Sequence, residues 1–439
     1  MELLDRILIF LQNSVFYVQG QFAQRTLLTW ALFFFPLVIF FELPRYATPL
    51  VIMPVLRLFG LLRDDRHRKE QFLAARPRVS VLVAARNEEE VIASTIESLL
   101  SVEYGNLEVV VVDDASTDAT YQIARRYADR GLIKLYRNTS RSGRTGRPTA
   151  SNFALRMCSG EFIISVDADT TFDRDMLLHA IGPFEDPEVG VVAGNIKVRN
   201  EGQSLWADLQ AVEYLISINL WKQWTTVKGT TLAASGAFGA FRREVLADVG
   251  GWDPELTEDA DLSVKAKKLG WKIVFAPRAV AMTTVPATLV GLVRQRIRWD
   301  RGFLRTFFHK HGDALKFWRF DLATAWELVM EYLMVVVFNL LFPVYLLLMV
   351  LYDVKLLAFI LAFCYVFYSG LTLLTLLAAV SLSERRRYEW PLVQYAAVFP
   401  LYKGMFRWVR TYALILELLR LRYRDPYLPD KAYDNAEVW

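Results

Sequence analysis

Several acidic groups stand where apolar runs stop, a placement that suits ligand chemistry. Asn87-Glu88 lies just beyond the run 79–84, Asp113-Asp114 follows 107–112, and Asp167-Ala168-Asp169 follows 162–166. Two carboxylates spaced i, i+2 across a strand-to-loop bend can hold Mg2+ or Mn2+ through oxygen, with a diphosphate completing the shell. Asp167 and Asp169 fit that role, and the same acids could equally cap a helix over 170–176. Neither G-x-G-x-x-G nor a Gly-Lys-Ser/Thr loop follows the first run, so a nucleotide diphosphate bound here needs a cation. Thr257-Glu258-Asp259 then opens the helical run 260–269. Thr257 reads as an N-cap, and acids in a first turn suit the helix dipole. The chemical alternative makes Asp259 a general base that accepts a proton from an attacking hydroxyl. Last, the predicted helix 289–306 carries Gln295, Arg296, Arg298 and Trp299. Arginine's planar fork suits diphosphate oxygens, and a tryptophan face suits a pyranose. An interfacial amphipathic helix would use the same residue types.

These residues need a scaffold that brings them together. Runs 79–84, 107–112, 132–136 and 162–166 are short, apolar and rich in β-branched residues. Helical patterns alternate with them, over 91–100, 119–127 and from 152 to 157. Continuous apolar strands alternating with helices imply a parallel sheet covered on both faces. Ligands of such sheets bind beyond the carboxyl ends of the strands, where all three strand-end groups fall.

The chain has 439 residues, 54% of them hydrophobic, with 51 basic against 47 acidic side chains. That balance argues against nucleic acid as a partner. Apolar residues concentrate at the two ends, which points to a membrane protein with an aqueous domain set into its sequence. Residues 27–43 are long enough for one crossing. Residues 46–62, broken by Pro49, Pro54 and Arg57, either cross or lie in the interface. Residues 322–352 and 356–382 read as a helical hairpin. Residues 390–419, interrupted by Pro400, Lys403, Arg407 and Arg410, read as an interfacial or re-entrant pair. Basic residues gather at Arg63 to Lys69, Arg385 to Arg387, and Arg420, Arg422 and Arg424, where anionic membrane lipids and the positive-inside rule explain them. The central domain is then cytosolic. Glu327 and Glu331 share a helix face, either at headgroup level near Arg319 and Asp321 or on the wall of a sugar channel. Cys158 and Cys364 sit in unlike settings and exclude a disulfide framework. His309 and His311 lack partner ligands in sequence and read as interfacial polar residues.

In chain order the motifs are Ala85-Arg86-Asn87-Glu88, Asp113 to Asp118, Asp167-Ala168-Asp169, Ser235-Gly236-Ala237-Phe238, Thr257-Glu258-Asp259 and Gln295-Arg296-Ile297-Arg298-Trp299. Together this set resembles the processive family-2 glycosyltransferases, which include the cellulose, hyaluronan, chitin and poly-N-acetylglucosamine synthases. The resemblance implies an α/β GT-A fold, Rossmann-like with a mostly parallel sheet, cytosolic and flanked by transmembrane helices in the cell (inner) membrane. It implies inverting transfer from a UDP-sugar donor to a growing polysaccharide acceptor, with Mg2+ or Mn2+ as cofactor, and it leaves room for a small accessory membrane subunit. By the same resemblance Asp259 is the catalytic base and Asp167 and Asp169 serve the metal and diphosphate. Ala85, Asn87, Glu88, Asp113, Asp114, Arg147, Gln295 and Arg298 contact the donor. Gly236, Ala237, Phe238, Glu258 and Trp299 border the acceptor.

Gly146-Arg147 stands where the family often has Gly-Lys, and Asp300-Arg301-Gly302 follows Trp299 where a small or glycine-rich sequence is usual. The Ser235 to Phe238 segment followed by Arg242-Arg243 favours UDP-N-acetylglucosamine over UDP-glucose. Two rivals stand beside this reading: a non-processive transferase adding one sugar to a lipid, which the Gln295 to Trp299 motif disfavours because that motif tracks with polymer synthesis in the family, and a transporter whose α/β domain senses nucleotide, which would not need a base at Asp259. The expected domains are membrane and interfacial helices over 1–75, the transferase over 76–285, interfacial helices over 286–320, and membrane and interfacial helices with a short tail over 321–439.

Overall fold

A computed structural model describes residues 2–34, 43–60, 71–138, 146–316 and 320–419. Four parallel strands form one half of the sheet: β1 (Val79–Ala85), β2 (Leu107–Asp113), β3 (Lys134–Arg137) and β4 (Phe162–Asp167). The central three are buried almost throughout, as their Val- and Ile-rich runs require. The other half comprises β5 (Thr171–Phe172), β6 (Val189–Val198), β7 (Phe238–Arg242) and β8 (Lys272–Thr283), in the overall order β3-β2-β1-β4-β7-β6-β8-β5. β7 runs antiparallel to both β4 and β6, and β5 antiparallel to β8. The sheet is therefore mostly parallel and not wholly so. No helix forms over 170–176. β5 occupies 171–172 and pins the segment to β8, and the next helix starts only at Met176.

The helices are numbered in chain order. The amino-terminal ones are α1 (Glu2–Gln24), α2 (Leu27–Phe34) and α3 (Leu43–Leu58). In the α/β region come α4 (Ile92–Leu100), α5 (Thr120–Ala128), α6 (Arg147–Met157), α7 (Met176–Ile181), α8 (Leu205–Tyr214), α9 (Trp221–Val227), α10 (Arg243–Val249), α11 (Glu258–Lys268) and α12 (Leu289–Leu304). α4 buries Ile92, Thr95, Ile96 and Leu99, the stripe its 3–4 spacing dictates. α6 starts at Arg147, five residues before the expected Asn152, because Pro148 suits a first turn. A wide turn over Leu215–Leu220 joins α8 to α9.

After the α/β region, α13 (Leu322–Tyr352) and α14 (Val354–Leu382) are long and apolar enough to cross a bilayer. Much of their apolar surface has no protein cover: Leu351 is 75% exposed and Val366 70%. A soluble core helix would bury such residues. α15 (Phe399–Leu418) packs along α12, with Ile297, Ala413 and Leu416 forming an apolar seam. α3 carries Pro49 and Pro54 within it and is too short to span alone. Of the expected crossing over 27–43, only α2 is described. Residues 35–42, the basic positions Arg63 to Lys69, Arg319, and Arg420 onward lie outside the described residues.

His311 is buried, not interfacial: its ring lies 2.8 Å from Asp261 and 2.9 Å from the Lys268 ammonium, because the segment after α12 folds back onto α11. Glu327 pairs with Lys228 at 2.5 Å, which ties the start of α13 to the end of α9. Cys158 and Cys364 are both buried and free.

Candidate active site

Strand register sets the first half of the site. Ala85 is level with Asp113, Ala84 with Asp167, and Asp113 with Arg137, so all stand at one carboxyl edge. The loops beyond β1 and β2 are clasped by hydrogen bonds. The Asn87 amide donates to the Ser116 hydroxyl at 3.0 Å, the Glu88 amide to the Thr120 hydroxyl at 2.7 Å, and the Thr117 amide to the Asn87 side-chain oxygen at 2.9 Å. Asn87 (φ 56°) and Ala115 (φ 57°) adopt left-handed backbone there, a cost of order 1–3 kcal/mol each that surrounding bonds must offset. Asn87 therefore shapes the pocket with its side-chain oxygen already engaged. Ala85 is buried, and its carbonyl is taken by the Asp114 amide at 2.8 Å.

Asp113 and Asp114 are nearly inaccessible. One Asp113 oxygen accepts from Arg137 at 3.1 Å, and its other oxygen is buried with no partner among the described residues. Asp114 accepts from Asn138 and from the Gly146 amide, both at 2.6 Å. A buried carboxylate oxygen without a donor is costly. It fits a ligand that brings an N–H.

Across the edge, Glu88, Asp169 and Asp167 gather negative charge. Burial and then the neighbouring aspartates raise the Glu88 carboxyl to about 7, and burial together with Asp167 raises that of Asp169. Asp169 is steadied by the hydroxyls of Thr170 at 3.2 Å and Thr283 at 3.4 Å. Like charges driven together in this way fit a cation. Among the described residues, no three side chains of metal-binding type converge into a complete cage. Asp167 and Asp169 could supply two oxygens, leaving the remainder to a ligand's phosphates and water.

Arg147 joins this half to the next. Its guanidinium lies 2.8 Å from Asp167, pairs with Glu258 and donates to the Gly236 carbonyl. Burial opposes its charge, but Asp167 and Glu258 prevail and hold it protonated. Burial pushes the Glu258 carboxyl up against the pull of Arg147, with Asp259 adding to the rise. The Gly236 amide donates to Asp259 Oδ2 at 2.7 Å, and the other Asp259 oxygen accepts from the Ala260 amide at 2.8 Å. Gly236 is needed for this approach: a Cβ there would stand 2.6 Å from Arg147 and 3.3 Å from Asp259.

Two details differ from expectation. The Thr257 side chain does not cap α11; it bonds the Thr306 hydroxyl at 3.0 Å instead. Phe238 does not face an acceptor. It opens β7, and its ring is fully buried, edge-on to Phe172 with centroids 5.7 Å apart. Gly236 and Ala237 remain at the turn, and Phe238 contributes only backbone.

α12 completes the site. Arg296 lies 4.4 Å over the Trp299 ring and is anchored 2.6 Å from Glu213 of α8, which also accepts from Tyr402 at 2.8 Å. This chain of contacts props Trp299, and nothing in the sequence spacing foretold Glu213 or Tyr402. Arg298 has no hydrogen bond or ion pair among the described residues, and the Gln295 side-chain oxygen is buried without a donor. Asp300 and Arg301, which break the usual pattern after Trp299, hold α12 to α15. Asp300 pairs with Arg410 at 2.9 Å, and Arg301 with Glu417 at 2.8 Å. Gly302 lets α12 meet the Thr257 segment, since a Cβ there would stand 2.5 Å from Thr257.

The sequence profile described as glycosyltransferase-like family 2 matches residues 77–302. The chain is 33% identical over 226 residues to a poly-beta-1,6-N-acetyl-D-glucosamine synthase of Staphylococcus epidermidis, covering 51% of this chain and 54% of that protein. It is 32% identical over 239 residues to the synthase of the same name from Staphylococcus aureus strain COL, covering 52% and 56%. The chain thus aligns with about half the length of these curated relatives. Among solved structures, a mannosyltransferase from Pyrobaculum calidifontis, in complex with GDP-Man and Mn2+, superposes with a TM-score of 0.54 at 22% identity, covering 85% of this chain and 99% of that one. That likeness supports the GT-A fold.

Proposed function

The chain belongs to glycosyltransferase family 2, and from that premise we propose that it is a processive, inverting β-glycosyltransferase that polymerises a UDP-sugar, UDP-N-acetylglucosamine foremost, and exports the product. The observation that carries this reading is the turn at Gly236. Its amide meets Asp259 and its carbonyl meets Arg147, which in turn holds Asp167. The candidate base and the candidate diphosphate carboxylate are thereby parts of one hydrogen-bonded unit. The names of the 33%-identical relatives support the amino sugar.

In this mechanism the donor's nucleobase meets Asp113 and its diphosphate meets Arg298 and Gln295. Mg2+ or Mn2+ on Asp167 and Asp169 would supply positive charge beside the diphosphate. The acceptor's terminal sugar rests on Trp299, bordered by Gly236, Ala237 and Glu258. Its hydroxyl gives its proton to the Asp259 carboxylate as the oxygen attacks the anomeric carbon in line. The bond to UDP breaks on the opposite face, so an α-linked donor yields a β-linkage. Two apolar helices beside the catalytic region support placement in a membrane; in this reading the site faces the cytosol and the polymer leaves past Trp299. Asp259→Asn tests the base: transfer is lost while UDP binding persists, and parental turnover would refute the assignment.

A further inference from the structure

Lys222 lies on α9, outside every motif recognised in the sequence, yet it faces the acceptor turn. Its ammonium donates to the Ser235 hydroxyl at 2.7 Å. Ser235 begins the turn closed by the Phe238 amide to the Ser235 carbonyl at 3.1 Å, and the next residue, Gly236, donates to Asp259. Three charged side chains from three helices therefore converge on one short turn: Lys222 from α9, Arg147 from α6 and Asp259 from α11.

A half-buried ammonium normally has a carboxylate against it. Among the described residues none lies within ion-pair distance of Lys222; burial lowers its ordinary value to about 8, and Asp259 is the charge that opposes the fall. Hydroxyl contacts dock α9 as well. Thr225 and Thr226 already bond the Thr231 hydroxyl at 3.2 and 3.0 Å, tying α9 to the strand of chain that leads into Ser235. The charged groups that face Asp259 are Lys222 and Arg147 from neighbouring helices and Glu258 on its own. Arg147 is already shared between Asp167 and Glu258. Lys222 is the cation left over for the base.

We propose that Lys222 is a positioning residue for Asp259: through the Ser235 hydroxyl it fixes the turn that presents the Gly236 amide to that carboxylate, and it supplies the positive charge that faces the carboxylate from the acceptor side. The inference rests on the functional reading above for its chemistry and on contacts alone for its geometry.

Two arms on the purified full chain test it. In the first, hydrogen exchange of the peptide spanning 235–238 rises in Lys222→Met and stays parental in Lys222→Arg. In the second, Lys222→Met lowers the transfer rate roughly tenfold with donor KM and UDP affinity held within about twofold, and Lys222→Arg recovers most of the rate. Unchanged exchange in Lys222→Met overturns the inference whatever reaction the protein carries out. Equal loss in the arginine and methionine variants overturns the role of charge. If the parent transfers no sugar from any UDP-sugar, the functional reading fails, and the exchange arm still decides the geometry.

Discussion

Replacing Arg147 with methionine removes the cation that joins the two halves of the site. The guanidinium is 27% exposed and Glu258 13%, so solvent compensates only in part. Breaking a buried ion pair by removing one partner costs about 3–5 kcal/mol, and the remaining exposure of Arg147 brings the expectation to about 2–3 kcal/mol. For a catalytic region of this size each kcal/mol moves Tm by about 2–4 °C, so the variant melts about 5–10 °C below the parent. Arg147→Lys keeps the charge but loses the planar fork that serves Asp167, Glu258 and the Gly236 carbonyl together, and falls between the two. Glu258→Gln placed in the Arg147→Met background recovers part of the loss, because it removes the carboxylate left without a partner. Thermal melts in detergent, paired with UDP-release assays, measure all four proteins. An Arg147→Met variant with parental Tm and parental turnover would refute the reasoning.

Other outcomes follow from the same contacts. Gly302→Ala forces a Cβ to 2.5 Å from Thr257 and destabilises by about 1–3 kcal/mol, seen as a lower Tm with poorer transfer. Glu417→Ala removes the carboxylate that Arg301 and Arg305 share and loosens α12 from α15, which should lower Tm by at least as much as the glycine change. Glu213→Ala frees Arg296, which lies over the Trp299 ring, from its anchor, so product length on gels shortens more than UDP release falls. Glu108 tests pH dependence: burial would raise it, but Lys134, Ser80 and Ser159 outweigh burial and hold it at about 2, against an ordinary 4.5. A depressed carboxyl contributes stability that is full above 4.5 and disappears as pH falls towards 2, so Glu108→Gln flattens the acid limb of a stability-against-pH curve.

The residues show why part of this design is readable from sequence and part is not. Asp113 and Asp167 end runs that are apolar but for Glu108 and Ser165, and such runs become buried strands whose ends share one edge. Local pattern suffices for them. Phe238 ends the Ser235 to Phe238 motif but also opens β7, where it pairs with Val166 of β4 and its ring packs edge-on to Phe172, a contact distant in sequence that local pattern does not encode. Thr257 has an ideal capping side chain, yet Thr306, 49 positions away, takes its hydroxyl. His311 looked solitary because Asp261 reaches it only after the chain turns back on α11. Glu213, Tyr402 and Lys222 carry no local signature at all. Their roles arise from partners in other helices, which pattern within a segment does not encode. The residues after Trp299 read as departures from a family pattern and are explained by their ion pairs to α15.

The central claim is that Asp259 and the carboxylates at the sheet edge serve one reaction, polymer growth from a UDP-sugar. The most direct measurement incubates purified full chain with UDP-N-acetylglucosamine and Mg2+ or Mn2+, sizes the product by mass spectrometry and digests it with linkage-specific hydrolases, with UDP-glucose in parallel. The account predicts a β-linked ladder of N-acetylglucosamine that requires the cation and disappears in Asp259→Asn. A single sugar added to lipid, or a ladder that persists in Asp259→Asn, would contradict it.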